Sequence, residues 1–212
     1  MIVIDPRFAI LGALITVAGS ASYARDTLRG RTQPNRVTWM LWTLAPLIAF
    51  AAEAVQGVGL ASLMTLAVGV GPLLVVIASF LDPRAYYRLT RFDGICGGLS
   101  LAALVAWGLT GTGDIAILFS ILADLFGLIP TLRKARRDPE SESASAFVAS
   151  GCGAVITLLT VSPGAWTFAT VAFPLYILAA DVTLSALILT PRHRRLPAVA
   201  ADDLDRRPAD IS

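Results

Sequence analysis

The sequence predicts an all-α membrane protein of seven transmembrane helices, and three observations predict it. Of its 212 residues 56% are hydrophobic and only 15% charged, against roughly 25% charged in a soluble domain, so material to cover a water-facing surface is lacking. The apolar residues run in continuous stretches rather than alternating at period two, which favours helices over a barrel. The arginines fall between those stretches.

A span needs roughly 20 mostly apolar residues to cross about 30 Å of hydrocarbon. Seven stretches meet this: 8–24, 37–56, 58–81, 94–112, 115–132, 144–162 and 165–190. The first is the shortest, yet holds no charge between Phe8 and Ala24. It has small residues near its end, as a cleaved signal peptide would. Its dense positive charge follows the apolar run instead of preceding it, which reads as a retained anchor.

The joints are of two kinds. Arg25, Arg29, Arg31 and Arg36 follow the first stretch, Arg84, Arg88 and Arg91 the third, and Arg133, Lys134, Arg136 and Arg137 the fifth. Arg192, His193, Arg194 and Arg195 follow the seventh. The alternate joints, at 56–59, 110–114 and 162–164, carry no Lys or Arg. The positive-inside rule then places the basic joints and the C-terminus in the cytoplasm of a cell with the plasma (inner) membrane as host, and the N-terminus outside. The tail from 191 to 212 mixes Asp202, Asp203 and Asp205 with Arg206 and Arg207. It has little to bury and reads as disordered. The basic C-terminal run suits anionic lipid head groups. Nucleic acid is excluded as a partner, because the arginines form no single stripe.

The two halves share a pattern. Thr27-Leu28-Arg29 recurs as Thr131-Leu132-Arg133, Pro34 is echoed by Pro139, Thr38 by Ser143, and Pro72-Leu73 by Pro174-Leu175. These matches lie 104, 105, 105 and 102 residues apart, and they predict a duplication. Residues 1–81 form a first three-helix repeat, 82–112 a loop and linker helix, and 113–190 a second repeat. Starting four helices later, the second repeat enters the membrane in the same sense, so the two are parallel three-helix bundles in a 3+1+3 plan.

The segment Gly127-Leu128-Ile129-Pro130-Thr131-Leu132-Arg133-Lys134, continued by Arg136 and Pro139 to Ser143, resembles the PQ-loop motif of the SWEET and PQ-loop transporters. Tyr23 to Trp39 is a fainter version. The resemblance spans residues 8–190 and implies a membrane transporter that moves a small polar solute, sugar-like or amino-acid-like, by alternating access between its two bundles. The sequence departs from the motif at Thr131, where Gln is usual, and at Asp26-Thr27, where Pro-Gln is. Sugar-carrying members line their pocket with asparagines, whereas the only Asn here is Asn35, in a joint.

Acids deep in a membrane face a cavity or a partner. Asp124 lies nine residues before Arg133 and Asp181 eleven before Arg192. At 1.5 Å per residue both sit roughly 13–17 Å from the cytoplasmic face. They are candidates for binding solute or protons, with transport coupled to protons or facilitative; locking the bundle is the other reading. Spacings of 104 and 102 make Ser20 and Ser79 their equivalents in the first repeat. Pro46, Pro72, Pro130 and Pro174 fall inside spans, remove a backbone hydrogen bond each, and are candidate hinges.

Other residues read more plainly. Glu53 and Asp114 read as solvated or capping helix ends. Trp107 and Trp166 read as interfacial anchors, and so do Trp39 and Trp42, with a substrate platform as the alternative. Gly57, Gly59, Gly69, Gly71, Gly151 and Gly153 read as close-packing positions. Cys96 and Cys152 read as buried small hydrophobes. No His lies in a span and no nucleophile–base pair or metal cluster occurs, so neither an enzyme nor a cofactor is expected. The only Lys, Lys134, lies in a joint, which excludes a retinal protein. A non-transporting sensor or assembly partner is the alternative function; the oligomeric state, homo-oligomer included, is open.

Overall fold

Hydropathy and capping chemistry carve the described residues into seven α-helices. The structure, a computed structural model, describes residues 3–85, 88–110 and 113–190. The helices are α1 (Phe8–Leu28), α2 (Arg36–Val55), α3 (Ser62–Leu81), α4 (Arg91–Thr110), α5 (Gly113–Arg137), α6 (Ser145–Thr160) and α7 (Phe168–Leu189). There is no strand among the described residues. The basic run 192–195, the tail to 212 and the side chain of Trp107 lie outside the described residues.

The ends follow from local chemistry. Asn35 accepts hydrogen bonds from the backbone N–H of Val37 (3.1 Å) and Thr38 (3.4 Å), satisfying two donors that α2 leaves open. Thr167 and Thr170 form a capping box at the start of α7. Short 3-10 turns begin at Pro83, Pro139 and Pro163, where a fixed φ suits a first helical position. The α2–α3 joint turns through Gly57 and Gly59, both at φ +74°, a left-handed conformation that glycine adopts without strain. Their place is therefore in the turn; nothing lies close enough to need their lack of a side chain for packing.

Among the described residues, five helices are long and apolar enough to cross a membrane: α1, α2, α3 with its leading turn, α5 and α7. The sequence predicts seven full spans. α6 has 16 residues, because Ser143 and Ala144 belong to the preceding joint and Val161 leaves the helix in extended conformation. α5 runs on through Arg133 to Arg137, where hydropathy alone ends it at 132. Cations on the last turn of a helix oppose the partial negative charge of its open carbonyls, so the backbone continues where the apolar run stops.

The molecule is apolar outside and polar within. Leu14, Phe80, Leu101 and Val182 are each more than half exposed, while Thr16, Thr38, Thr65, Ser120 and Thr157 are buried. This is the distribution a hydrocarbon solvent imposes, since polar groups must find partners inside.

α3 packs between α1 and α2, and α7 packs between α5 and α6. α1 lies against α6 and α2 against α5, with α4 on the outside of α5 and α2. Small residues permit the α1–α6 crossing. A Cβ added to Gly153 would lie 2.7 Å from the Gly12 carbonyl oxygen, and one on Gly19 would lie 2.2 Å from the Ala149 Cβ. Gly69 meets Leu47 and Gly71 meets Ser20 equally closely, whereas Gly151 has ordinary contact distance to Asp181. Cys96 is buried but Cys152 is exposed. It stands between Gly151 and Gly153, and Gly153 is the one turned to α1, so the thiol faces outward.

The basic joints gather at one end. The N–H of Gln33, in the α1–α2 joint, donates to the Ser141 carbonyl in the α5–α6 joint (3.1 Å). Arg36 donates to the carbonyl of Ser79, near the end of α3. At the other end, the N–H of Ile4 donates to the carbonyl of Leu159 near the end of α6 (3.0 Å).

Candidate functional site

A cavity of about 50 Å³ lies where α1, α2, α3, α5, α6 and α7 meet, room for about four water molecules at 10–15 Å³ each. Its carboxylates come from α5 and α7, its hydroxyls from α1 and α6, and its aromatic wall from α2 and α6.

Asp124 is held from two sides. The Tyr176 hydroxyl donates to its Oδ2 at 2.6 Å, and Trp42 Nε1 donates to its backbone carbonyl at 3.3 Å. One helical turn on, Thr38 Oγ1 donates to the Gly127 carbonyl at 2.9 Å, which clamps α2 to α5. Ser145 Oγ donates in the same way from the first turn of α6 to the Gly19 carbonyl of α1 at 3.3 Å. Asp181 is buried beside the Ser150 hydroxyl. Asp124 Oδ1 and Asp181 Oδ2 have no hydrogen-bond partner among the described residues. No Arg, Lys or His stands among the lining residues.

Trp39 and Trp42 are not interfacial anchors. Both are buried, at 2% and 7% exposure, and both line the cavity. Their rings are 5.3 Å apart at 74°, and Phe147 closes the group at 6.1 Å and 6.0 Å from them. Tyr23 lies 4.6 Å from Trp39. An indole presents a negative π-face, so this wall and the two carboxylates attract a cation or a solute rich in N–H and O–H groups.

Ser20 lines the cavity; Ser79 does not, and its hydroxyl donates to the Val76 carbonyl at 2.7 Å. The walls pair differently from the matched tripeptides. Thr16 and Asp124, Ser20 and Leu128, Trp39 and Phe147, and Trp42 and Ser150 are each 108 residues apart. Val68 and Ile177, and Pro72 and Asp181, are each 109 apart. Every lining residue of the first half thus has a lining counterpart in the second. The counterparts of Asp124 and Asp181 are Thr16 and Pro72. No family model, curated protein or solved structure matches the chain.

All four prolines sit inside helices. Pro46 and Pro72 deprive the carbonyls of Trp42 and Val68 of their i+4 donors, and both of those residues belong to the cavity wall.

Beyond the aromatic wall, where Tyr23 packs on Trp39, lies a buried group that sequence reasoning missed. Lys134 Nζ and Glu142 Oε1 are 2.7 Å apart, with side chains 5% and 0% exposed. The other carboxylate oxygen of Glu142 accepts from the Tyr23 hydroxyl, and Lys134 also donates to the carbonyls of Gln33 and Ser141. The only signal was a lone lysine among arginines. Tyr176 likewise gave none.

At the other end Glu53 is buried rather than solvated. Its Oε1 accepts from Thr65 Oγ1 at 3.0 Å and its Oε2 has no partner. α2 packs on α3 there, which takes Glu53 out of solvent although it lies near a helix terminus. Asp114 is exposed in the first turn of α5, where a negative charge suits the helix dipole. Trp166 is partly exposed, its Nε1 donating to the Val161 carbonyl at 3.2 Å.

Proposed function

We propose that this protein is a multi-pass plasma-membrane transporter that moves a small polar solute by alternating access, in the manner of the SWEET and PQ-loop transporters. The observation that carries the reading is the constant spacing of the cavity walls. Six lining residues on α1–α3 each meet a counterpart 108 or 109 residues later on α5–α7. Two bundles related in this way enclose a path along their shared axis.

The packing supports the same reading. The order α1-α3-α2 is repeated as α5-α7-α6, and the two most extensive inter-bundle contacts, α1 with α6 and α2 with α5, exchange under the pairing. α4, outside both triplets, serves as the linker of a 3+1+3 plan. The basic joints then lie in the cytoplasm and the N-terminus outside. No enzymatic step is assigned.

Two buried carboxylates in a cavity whose described lining holds no basic residue require a proton or a cationic group for charge balance. The solute is accordingly amine- or hydroxyl-bearing, and inward proton movement accompanies it. On this reading the Tyr23–Glu142–Lys134 group, beyond the aromatic wall at the basic end, serves as the cytoplasmic gate. Prolines in α2, α3, α5 and α7 supply the bends about which the bundles rock.

The test is flux into proteoliposomes with and without a pH gradient. An amine-bearing solute is taken up faster with the gradient, and Asp181→Asn abolishes that acceleration. The second reading, a sensor or assembly partner, rests on the small cavity volume. Absence of flux of any amine, amino acid or sugar under any gradient would establish it in place of the first.

A further inference from the structure

Asp181 faces two spaces. Besides the central cavity, it forms the floor of a groove of about 570 Å³ between α6 and α7. Val148, Cys152, Val155 and Val182 form the sides of that groove, and all four are exposed at the outer surface of the molecule. Gly151 stands beside Asp181: a Cβ added there would lie 3.5 Å from the Asp181 Cβ. With hydrogen in that place, no side chain of residue 151 stands between the groove and Asp181.

The sides of the groove are apolar, but its floor is not. Asp181 Oδ2 and, one helical turn further along α7, Ser185 Oγ are both buried without a hydrogen-bond partner. Orphaned polar atoms at membrane depth are costly unless a partner arrives. Water does not dissolve in the hydrocarbon beside this groove to any useful extent. The partner that fits has an apolar chain to lie along the valines and a donor head to reach the floor.

We infer that the α6–α7 groove binds a membrane-dissolved, single-chain amphiphile with an amine head, the head on Asp181 and Ser185 and the chain along Val148, Val155 and Val182. Charge complementarity selects the head, because a carboxylate accepts from an ammonium group and repels an anion. The groove thus gives the central carboxylate lateral access from the bilayer. The inference stands on this groove and does not require that the protein transports.

Cys152 supplies the readout. In the full-length Cys96→Ala protein in nanodiscs it is the only thiol, and its rate of alkylation by a lipid-soluble maleimide reports the groove. Dodecylamine slows that rate at least tenfold, while dodecanoate and methylammonium leave it within twofold. Asp181→Asn removes the difference between dodecylamine and dodecanol, and Ser185→Ala reduces it. Val155→Trp, which fills one side without touching the floor, weakens protection by dodecylamine while leaving small-amine flux in place. Equal protection by dodecylamine and dodecanoate would overturn the inference, as would undiminished protection in Asp181→Asn. Crosslinking of Cys152 to Cys152 under mild oxidation would also overturn it, by showing a second copy in the groove. A protein without any flux that still shows the amine-selective protection refutes the transport reading and leaves this one intact.

Discussion

Lys134 and Glu142 meet at 2.7 Å with almost no solvent exposure, and Tyr23 donates to the same carboxylate from α1. One ion pair therefore ties the end of α5, the α5–α6 joint and the α1–α2 joint, through the Gln33 carbonyl, at the basic end of the cavity. A pair this deep is worth little net, because desolvating both ions offsets their attraction, but breaking it leaves one charge unpaired.

Removing one partner is thus expected to cost more than removing both. Lys134→Met or Glu142→Leu alone lowers stability by about 3–5 kcal/mol, and the double variant recovers most of that loss. Denaturant unfolding in micelles measures the cycle. Additive losses would mean that the two groups are solvated independently.

Among the described residues, Tyr176 is the one side-chain donor to the Asp124 carboxylate. Tyr176→Phe leaves both carboxylate oxygens without a protein partner at a cost of about 1–3 kcal/mol. The same change in an Asp124→Leu background has little effect. Unfolding measurements on the four proteins decide it, and an equal loss in both backgrounds would assign the Tyr176 contribution to ring packing.

Pro72→Ala returns a donor to the Val68 carbonyl and straightens α3. Proline inside a helix costs roughly 3 kcal/mol where nothing compensates, so the variant unfolds later than the parent while, on the proposed transport reading, its solute flux falls several-fold. Flux at or above the parental rate would remove Pro72 from the hinge set.

Gly153→Ala places a methyl group 2.7 Å from the Gly12 carbonyl and 2.3 Å from Thr16 Oγ1. α1 and α6 must separate, at about 1–3 kcal/mol. The same substitution at Gly164, where nothing lies within 4 Å, is neutral by comparison. A thermal unfolding series reads the difference.

Asp82, in the turn after α3, accepts from both the side chain and the backbone N–H of Arg84, and these bonds hold its carboxyl below the usual aspartate range. A depressed carboxyl contributes stability above its unfolded value, about 3.9, and loses it as the pH falls through the folded value. The turn is therefore insensitive to pH near neutrality and loosens only in acid. Carboxyl titration of Asp82 by NMR shows the lowered midpoint, and Arg84→Gln moves it back up.

Hydropathy determined the helices, because membrane solvent acts on each segment separately and records itself as apolar length. Charge determined the sorting of the joints for the same reason. Asp124 and Asp181 were legible as candidates because a carboxylate in so apolar a segment is conspicuous; Ser20 was reached through the 104-residue match and does line the cavity, although its counterpart there is Leu128. Depth and partnership were not legible. The Thr-Leu-Arg match lies four residues, about one helical turn, short of the 108-residue spacing of the cavity walls, and the Pro-Leu match lies seven residues, about two turns, short of 109. A slip by whole turns keeps a residue on its helix face and moves it along the axis, so Ser79 lies on the face of Pro72 but beyond the cavity. Trp39, Trp42, Glu53 and Lys134 were misread for a related reason. A residue near a helix end is solvated or buried according to which neighbouring helix covers it, and only the packing of α1 on α6 and α2 on α5 decides that.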